Sequence, residues 1–185
     1  MEIGIVVAVI VFVPVIYVIA TYNTLVRYRN HVKESWSDID TELKRRYDLI
    51  PNLVSTVKGY ATHEQSLLEE LTRLRGVCKE NNGKPSQQAG SENDFQALLH
   101  KVLVRVEAYP DLKADQNFLD LQDELSNTED RIQAARRFYN GNVRDINNKI
   151  QMFPSSIIAG VFDFEESDFF ELNDEVARSV PSVNR

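Results

Sequence analysis

Apolar residues fall in two patterns along this chain. From Ile3 to Ala20 they are nearly continuous, and IGIVVAVIVFVPVIYVIA contains no charged residue. At the rise of an α-helix the run covers roughly 27 Å, close to the ~30 Å hydrocarbon core of a bilayer. From Leu25 onward apolar residues recur instead every three or four positions, the period of an amphipathic helix. The first pattern predicts a transmembrane segment over residues 1–22, and the second a helical bundle over residues 23–172.

The bundle helices follow from stripe and punctuation. Leu25, Tyr28, Val32, Trp36, Ile39 and Leu43 form a heptad-like stripe, with no glycine or proline between Ala20 and Lys44. The membrane helix is therefore expected to run straight into a first bundle helix over 23–47. Lys44-Arg45-Arg46 suits a helix C-terminus, Asp48 an N-cap, and Pro51 the first turn of a second helix over 51–79. A full turn at Tyr47–Pro51 and a kinked continuous helix both satisfy this pattern. Glu80–Gly90, ENNGKPSQQAG, reads as loop. Ser91-Glu92-Asn93-Asp94 then reads as a cap for a third helix over 92–109, which Pro110 stops. A fourth helix is expected over 115–153, carrying Phe118, Leu121, Leu125, Ile132, Tyr139, Val143, Ile146 and Ile150. Asn140-Gly141 is a hairpin signature, but the stripe keeps its phase on both sides, so helix is expected to continue at a cost of about 1 kcal/mol. A short helix over 156–162 follows Pro154. Phe162, Phe164, Phe169 and Phe170 are spaced by acidic residues and are expected to cover the bundle end or to contact a neighbouring chain. Residues 173–185 are expected to be a flexible tail. The fold class is all-α: an N-terminal transmembrane helix continuing into an elongated antiparallel four-helix bundle with a short C-terminal helix.

Charge refines the membrane reading. Tyr17 and Tyr22 stand where an interfacial aromatic belt belongs, and Arg27, Arg29 and Lys33 follow on one side only. The positive-inside rule then predicts a single-pass protein with its N-terminus outside and the bundle in the cytoplasm. Val18-x-Ala20 resembles a signal-peptidase site, but only Met1-Glu2 precedes the apolar run, without a basic residue. Pro14 is tolerable in a membrane helix, where neighbours re-satisfy the freed carbonyl.

Composition narrows the chemistry. The formal charge is −7 over 185 residues, which excludes general nucleic-acid binding, because phosphate neutralisation needs a basic surface. The single cysteine, Cys78, allows no intrachain disulfide and reads as a small buried hydrophobe. A di-iron bundle site needs Glu-x-x-His pairs, but Tyr28, Tyr60 and Ala97 precede His31, His63 and His100 at that spacing. His63-Glu64 is followed by Gln65, Ser66 and Leu67, so no zinc-protease motif forms. No metal, cofactor or catalytic residue is expected, and the chain reads as non-enzymatic. Glu64, with His63 beside it, falls in the apolar seam of the second helix. A carboxylate there needs a partner, expected to be Arg136, Arg137 or Tyr139 on the fourth helix, in a polar layer that fixes helix register. Lys44–Arg46 are expected to make a helix-end or subunit contact.

Longer motifs carry a resemblance. They are Tyr22-Asn23-x-Leu25-Val26, Trp36-Ser37-x-Ile39-Asp40, Leu43-Lys44-Arg45-Arg46-x-Asp48-Leu49-Ile50-Pro51-Asn52-Leu53-Val54, Val57-Lys58-Gly59-Tyr60-Ala61-x-His63-Glu64, Phe138-Tyr139-Asn140 and Phe153-Pro154-Ser155-x-Ile157-Ile158-Ala159. Together they resemble the LemA family over nearly the whole chain, from the membrane segment to Phe169-Phe170-Glu171. The resemblance implies a membrane-anchored helical bundle of a bacterial family without an established enzymatic activity. It also implies an association with membrane proteases and stress responses, hence a membrane protease as a partner. The expected function is a non-enzymatic scaffold of the bacterial inner membrane that contacts the lipid bilayer and self-associates as a homo-oligomer. The alternative is an adaptor or regulator of a membrane protease or stress pathway.

Overall fold

A computed structural model describes residues 2–172. Among the described residues the chain is helical and without strands. Its elements are α1 (Glu2–Lys58), a 3-10 turn (Thr62–Glu64), α2 (Gln65–Glu80), α3 (Pro85–Val106), α4 (Pro110–Lys113), α5 (Gln116–Gln151) and α6 (Ser155–Val161). The all-α class and the long apolar N-terminal helix are as expected.

Several boundaries differ from expectation. α1 does not turn at Tyr47–Pro51; it runs on to Lys58, and the chain reverses at Gly59–Ala61. Proline inside a helix removes the N–H that would bond the carbonyl four residues earlier. For Pro51 that carbonyl belongs to Tyr47, and the Arg75 Nε of α2 donates to it at 2.6 Å. The orphaned acceptor is satisfied from outside, so the helix continues. Its apolar stripe continues too, with Ile50, Leu53 and Val57 at most 1% exposed. Asp48, expected as a cap, is an exposed mid-helix residue 3.9 Å from Arg75.

The loop expected over Glu80–Gly90 shrinks to residues 81–84. Pro85 occupies the first turn of α3, where its missing N–H costs nothing. Gln87 Oε1 accepts the Lys84 N–H at 3.2 Å, and Gln88 donates to the Gly83 carbonyl at 2.8 Å, closing the helix start. Ser91, expected to cap, lies inside α3, and its hydroxyl donates back to the Gln88 carbonyl at 2.9 Å. α3 ends at Val106 rather than 109, and Pro110 opens the single-turn α4 instead of merely stopping a helix. The start expected at Asp115 is present as a cap: its Oδ1 accepts the Phe118 N–H at 3.0 Å. α5 passes through Gly141 unbroken, as the unbroken stripe requires.

The chain divides into two compact units. The first comprises residues up to Ser37 with Arg137–Ser167. Here α1 and α5 run antiparallel. Trp36 packs on Tyr139 with ring centroids 5.3 Å apart, Asn142 donates to the Ser35 hydroxyl at 3.1 Å, and Ile150 packs on the cluster around Leu25. Residue numbers rise on one helix as they fall on the other, and the same register places Gln151, the last residue of α5, level with Thr24. α6 closes this unit by packing Ile158 and Ala159 against Leu25. Its end is a Schellman motif: the Phe164 N–H bonds the Ala159 carbonyl at 2.9 Å, and Asp163 is left-handed at φ 53°. Phe164 is thereby turned inward onto the same apolar cluster. Asn147 then clamps Ser167, donating to its carbonyl at 2.9 Å and accepting its N–H at 2.8 Å.

The second unit comprises Asp38–Arg136 with the chain from Asp168 onward. Its core takes Ile39, Leu43, Ile50, Leu53 and Val57 from α1, and Leu68 and Leu71 from α2. Phe95 and Val102 come from α3, and Phe118, Leu125 and Ile132 from α5. Phe170 of the C-terminal stretch is fully buried in this unit. That stretch is held by Ser86 donating to Asp168 at 2.7 Å and by Arg136 donating to the Leu172 carbonyl at 2.8 Å. The tail call, residues 173–185, lies outside the described residues.

Candidate functional site

The polar layer of the second unit is built around Arg46, not Glu64. Arg46 stands three residues after Leu43 and four before Ile50, so helix periodicity aims it at the core beside them. It is 1% exposed. On α3, Glu92 lies three residues before Phe95 and is equally enclosed, at 2%. On α5, Glu129 follows the buried Thr128 and is partly open, at 22%.

These side chains form one connected network. The Arg46 guanidinium donates through Nη2 to Glu92 Oε2 and through Nη1 to Glu129 Oε2, the latter at 2.9 Å. The other Glu92 oxygen accepts the Tyr47 hydroxyl, and the other Glu129 oxygen accepts Gln96 Nε2 at 3.1 Å. The ring of Phe95 closes one side, 5.3 Å from the guanidinium carbon and edge-on to Tyr47 at 5.9 Å. Within this network one cation faces two carboxylates. Arg46 Nε is the one guanidinium nitrogen of the three without a hydrogen-bond partner.

The electrostatics favour structure over reactivity. Burial works against a charged Arg46, but Glu92 and then Glu129 outweigh it, and its pKa lies above the usual arginine value. Burial, followed by the negative charge of Glu92, raises the Tyr47 phenol far above its ordinary range. The same two causes push the Cys78 thiol up to about 12. Cys78 instead donates weakly to the Ser91 carbonyl at 3.3 Å. A phenol and a thiol held protonated at neutral pH are poor nucleophiles and bases. Among the described residues no group of three His, Cys, Asp or Glu side chains is placed to hold a metal ion. What the arrangement does well is select geometry: these bonds form together only when α1, α3 and α5 meet in one register.

The expected layer of Glu64, His63, Arg136, Arg137 and Tyr139 does not assemble. Glu64 ends the 3-10 turn and faces the Tyr109 hydroxyl at 3.5 Å; His63 is exposed. Tyr60, near Glu64, bonds Asp115 at the start of α5 at 3.0 Å. Arg136 lies roughly 31 Å farther along that helix, out of reach. Arg136 holds the Leu172 carbonyl, Arg137 is exposed, and Tyr139 is buried against Trp36. The aromatic contact residues divide as well. Phe164 and Phe170 are internal, at 9% and 0% exposure, while Phe162 and Phe169 stay open at 47% and 40%. Tyr17, Tyr22, Arg27, Arg29 and Lys33, expected at the membrane interface, are all exposed. Arg29 also lies over the Phe164 ring at 5.2 Å. The helix-end or subunit role expected of Lys44–Arg46 fails for Arg46, which is mid-helix and internal; Lys44 instead pairs with Asp40 at the surface.

Comparison with known proteins assigns the chain. It is 26% identical over 152 residues to Protein LemA of Metamycoplasma hominis, covering 82% of this chain and 69% of that one. It is 23% identical over 175 residues to Magnetosome protein MamQ 2 of Paramagnetospirillum magneticum, covering 81% of this chain and 64% of the relative. For Magnetosome protein MamQ of Magnetospirillum gryphiswaldense the identity is 22% over 174 residues, with 80% and 64% covered. The chain thus spans less than two thirds of the length of these magnetosome relatives. None of these names is that of an enzyme. The LemA family profile matches residues 35–184, from the helix before the buried Arg46 through the C-terminal stretch, and the chain belongs to the LemA family.

Proposed function

We propose that this protein is a membrane-anchored, non-enzymatic scaffold that self-associates on a bilayer and takes part in organising it. The observation that carries the reading is α1. Its N-terminal part is long and apolar enough to cross a membrane, and Ile10–Ile19 expose their side chains instead of packing on the protein, with Phe12 and Ile16 above 60% exposure. The same helix carries Ile39–Val57 into the core of the second unit. A membrane-embedded helix and a packed helical unit on one element suit a platform better than a reaction vessel. The buried network spends the Arg46 charge on Glu92 and Glu129 of its own chain. Relatives named as magnetosome proteins are in keeping with a role on an organised cellular structure. In this reading the anchor is single-pass in a bacterial inner membrane, with the N-terminus outside and the bundle in the cytoplasm.

The test is electron microscopy of the full chain in lipid nanodiscs and native membrane, paired with light scattering in detergent. Discrete oligomers in both are expected. A strict monomer under every condition refutes the scaffold, and stoichiometric co-purification of a membrane protease with that monomer favours the regulator alternative.

A further inference from the structure

Several exposed apolar side chains outside α1 stand singly, among them Val77, Val104 and Phe138, but five gather in one place. Met152, Phe153, Ile157, Val161 and Phe162 stand 61%, 80%, 60%, 70% and 47% exposed around the junction of α5 and α6. Ile158 and Ala159, between them in sequence, are buried against Leu25. α6 is therefore two-faced, with one apolar face spent on the protein and a second left open. The helix itself, SSIIAGV, carries no charge.

Its position says what covers the open face. Within this unit the register of α1 and α5 brings the end of α5 level with Thr24, roughly 3 Å of helix from Tyr22, and the Phe162 ring lies 4.8 Å from the Tyr22 ring. Tyr22 follows Ile19, the last large exposed apolar residue of the span, by less than one turn, roughly 4.5 Å of helix. The interfacial zone on each side of a bilayer is about 5–7 Å deep, and interfacial helices sit about 5–10 Å into the headgroup boundary. An apolar face held at that height meets lipid. Arg27 and Arg29 are exposed on α1 just above it, at headgroup level. The carboxylates Asp163, Glu165 and Glu166 come after α6, and Glu166 is turned back onto Gln151 at 2.9 Å.

We propose that the α5–α6 junction is a second, interfacial membrane contact, in which Phe153, Ile157, Val161 and Phe162 enter the headgroup boundary beside the base of α1. This rests on the membrane-anchored reading and adds a second foothold to it. Two footholds fix how the first unit is rotated about α1, which a single helix leaves free.

The experiment places an environment-sensitive fluorophore on cysteines introduced by Ile157→Cys and Val161→Cys, with Ile16→Cys marking the span and Arg137→Cys, exposed at the far end of this unit's α5, marking the aqueous surface. Cys78 stays in place, since a buried and protonated thiol labels poorly, and the unaltered chain serves as the blank. The full chain is reconstituted in phosphatidylcholine vesicles containing lipids spin-labelled at shallow or deep positions. Blue-shifted emission at 157 and 161, quenched by the shallow label, is expected, with 16 quenched by the deep label and 137 by neither. Quenching at 16 without quenching at 157 and 161 overturns this inference and leaves the anchor standing. A blue shift at 157 and 161 that lipid does not quench, and that fades on dilution into excess lipid, also overturns it and assigns the face to a second copy of the chain. Failure of quenching at 16 overturns the anchor itself and the inference with it.

Discussion

Replacing Arg46 with methionine isolates the central network. Methionine keeps the length and apolar stem of the side chain but removes the only cation that Glu92 and Glu129 share. Glu92 retains the Tyr47 hydroxyl on one oxygen and loses its partner on the other; Glu129 retains Gln96 and is open enough for water to reach it. The cost is therefore concentrated at Glu92. Removing one member of a buried ion pair costs about 3–5 kcal/mol. For a chain of this size each kcal/mol shifts the melting point by about 2–4 °C, so Arg46→Met should melt roughly 6–20 °C lower. Circular dichroism melts of the full chain in detergent, backed by urea unfolding, measure this. The double variant Arg46→Met, Glu92→Met removes the stranded charge and should recover about half of the loss or more, the remainder reflecting the Tyr47 hydroxyl left without its acceptor, about 1–3 kcal/mol. If Arg46→Met loses under about 1 kcal/mol, or if Glu92→Met adds its own full cost on top, the pair is not coupled and the network argument is wrong.

Three further outcomes follow from the same geometry. Cys78 and Tyr47 both have folded pKa values raised above their ordinary 9.0 and 10.0, so their stability contribution is complete below those values and is lost as pH rises through the folded ones. Urea midpoints should hold to about pH 9 and then fall toward pH 12, and Cys78→Ala should flatten the first part of that fall; an unchanged slope contradicts the assignment. Asp163 is held at φ 53° at the end of α6, so Asp163→Gly should stabilise the chain by about 0.5–1 kcal/mol and Asp163→Val should destabilise it by about 1 kcal/mol, both read from thermal melts. Arg75→Ala should cost about 1.5–3 kcal/mol through the unpaired Tyr47 carbonyl, but far less in a Pro51→Ala background, where the helix supplies its own N–H; equal losses in the two backgrounds would refute the link.

Much of the architecture was legible from periodicity alone. Helix content, the apolar span, the continuity of α5 through Gly141 and the cap at Asp115 all follow from local chemistry. Boundaries at proline were not, because proline fits both a first turn and a tolerated interior site. Which of these holds at Pro51 depends on Arg75, 28 residues away from Tyr47, and nothing local announces that contact. Position 85 shows the reverse case: polar Ser86, Gln87 and Gln88 look like loop, yet Ala89 and Glu92 bury one face of them as helix. The charged layer was partly legible. Arg46 and Glu92 are each in phase with apolar neighbours, a signal that competes with the tendency of basic runs to mark helix ends and of acidic residues to mark helix starts. Glu129, partly open and beside a threonine, has no such signature. Glu64 was misleading for a physical reason: the chain leaves α-helical geometry at Gly59–Ala61, and a stripe extrapolated across a 3-10 turn points the wrong way.

The contact between Arg75 and the Tyr47 carbonyl has an evolutionary side. A proline at position 51 is harmless only in a chain that already has a donor at position 75, and the donor is dispensable only where the proline is gone. The two positions therefore cannot drift independently. A chain that traded Pro51 for an ordinary residue would release position 75 to vary, while one that kept it would favour a side chain there that reaches and donates. The order of substitution matters as well: losing Arg75 first crosses a deep stability valley, and losing Pro51 first does not.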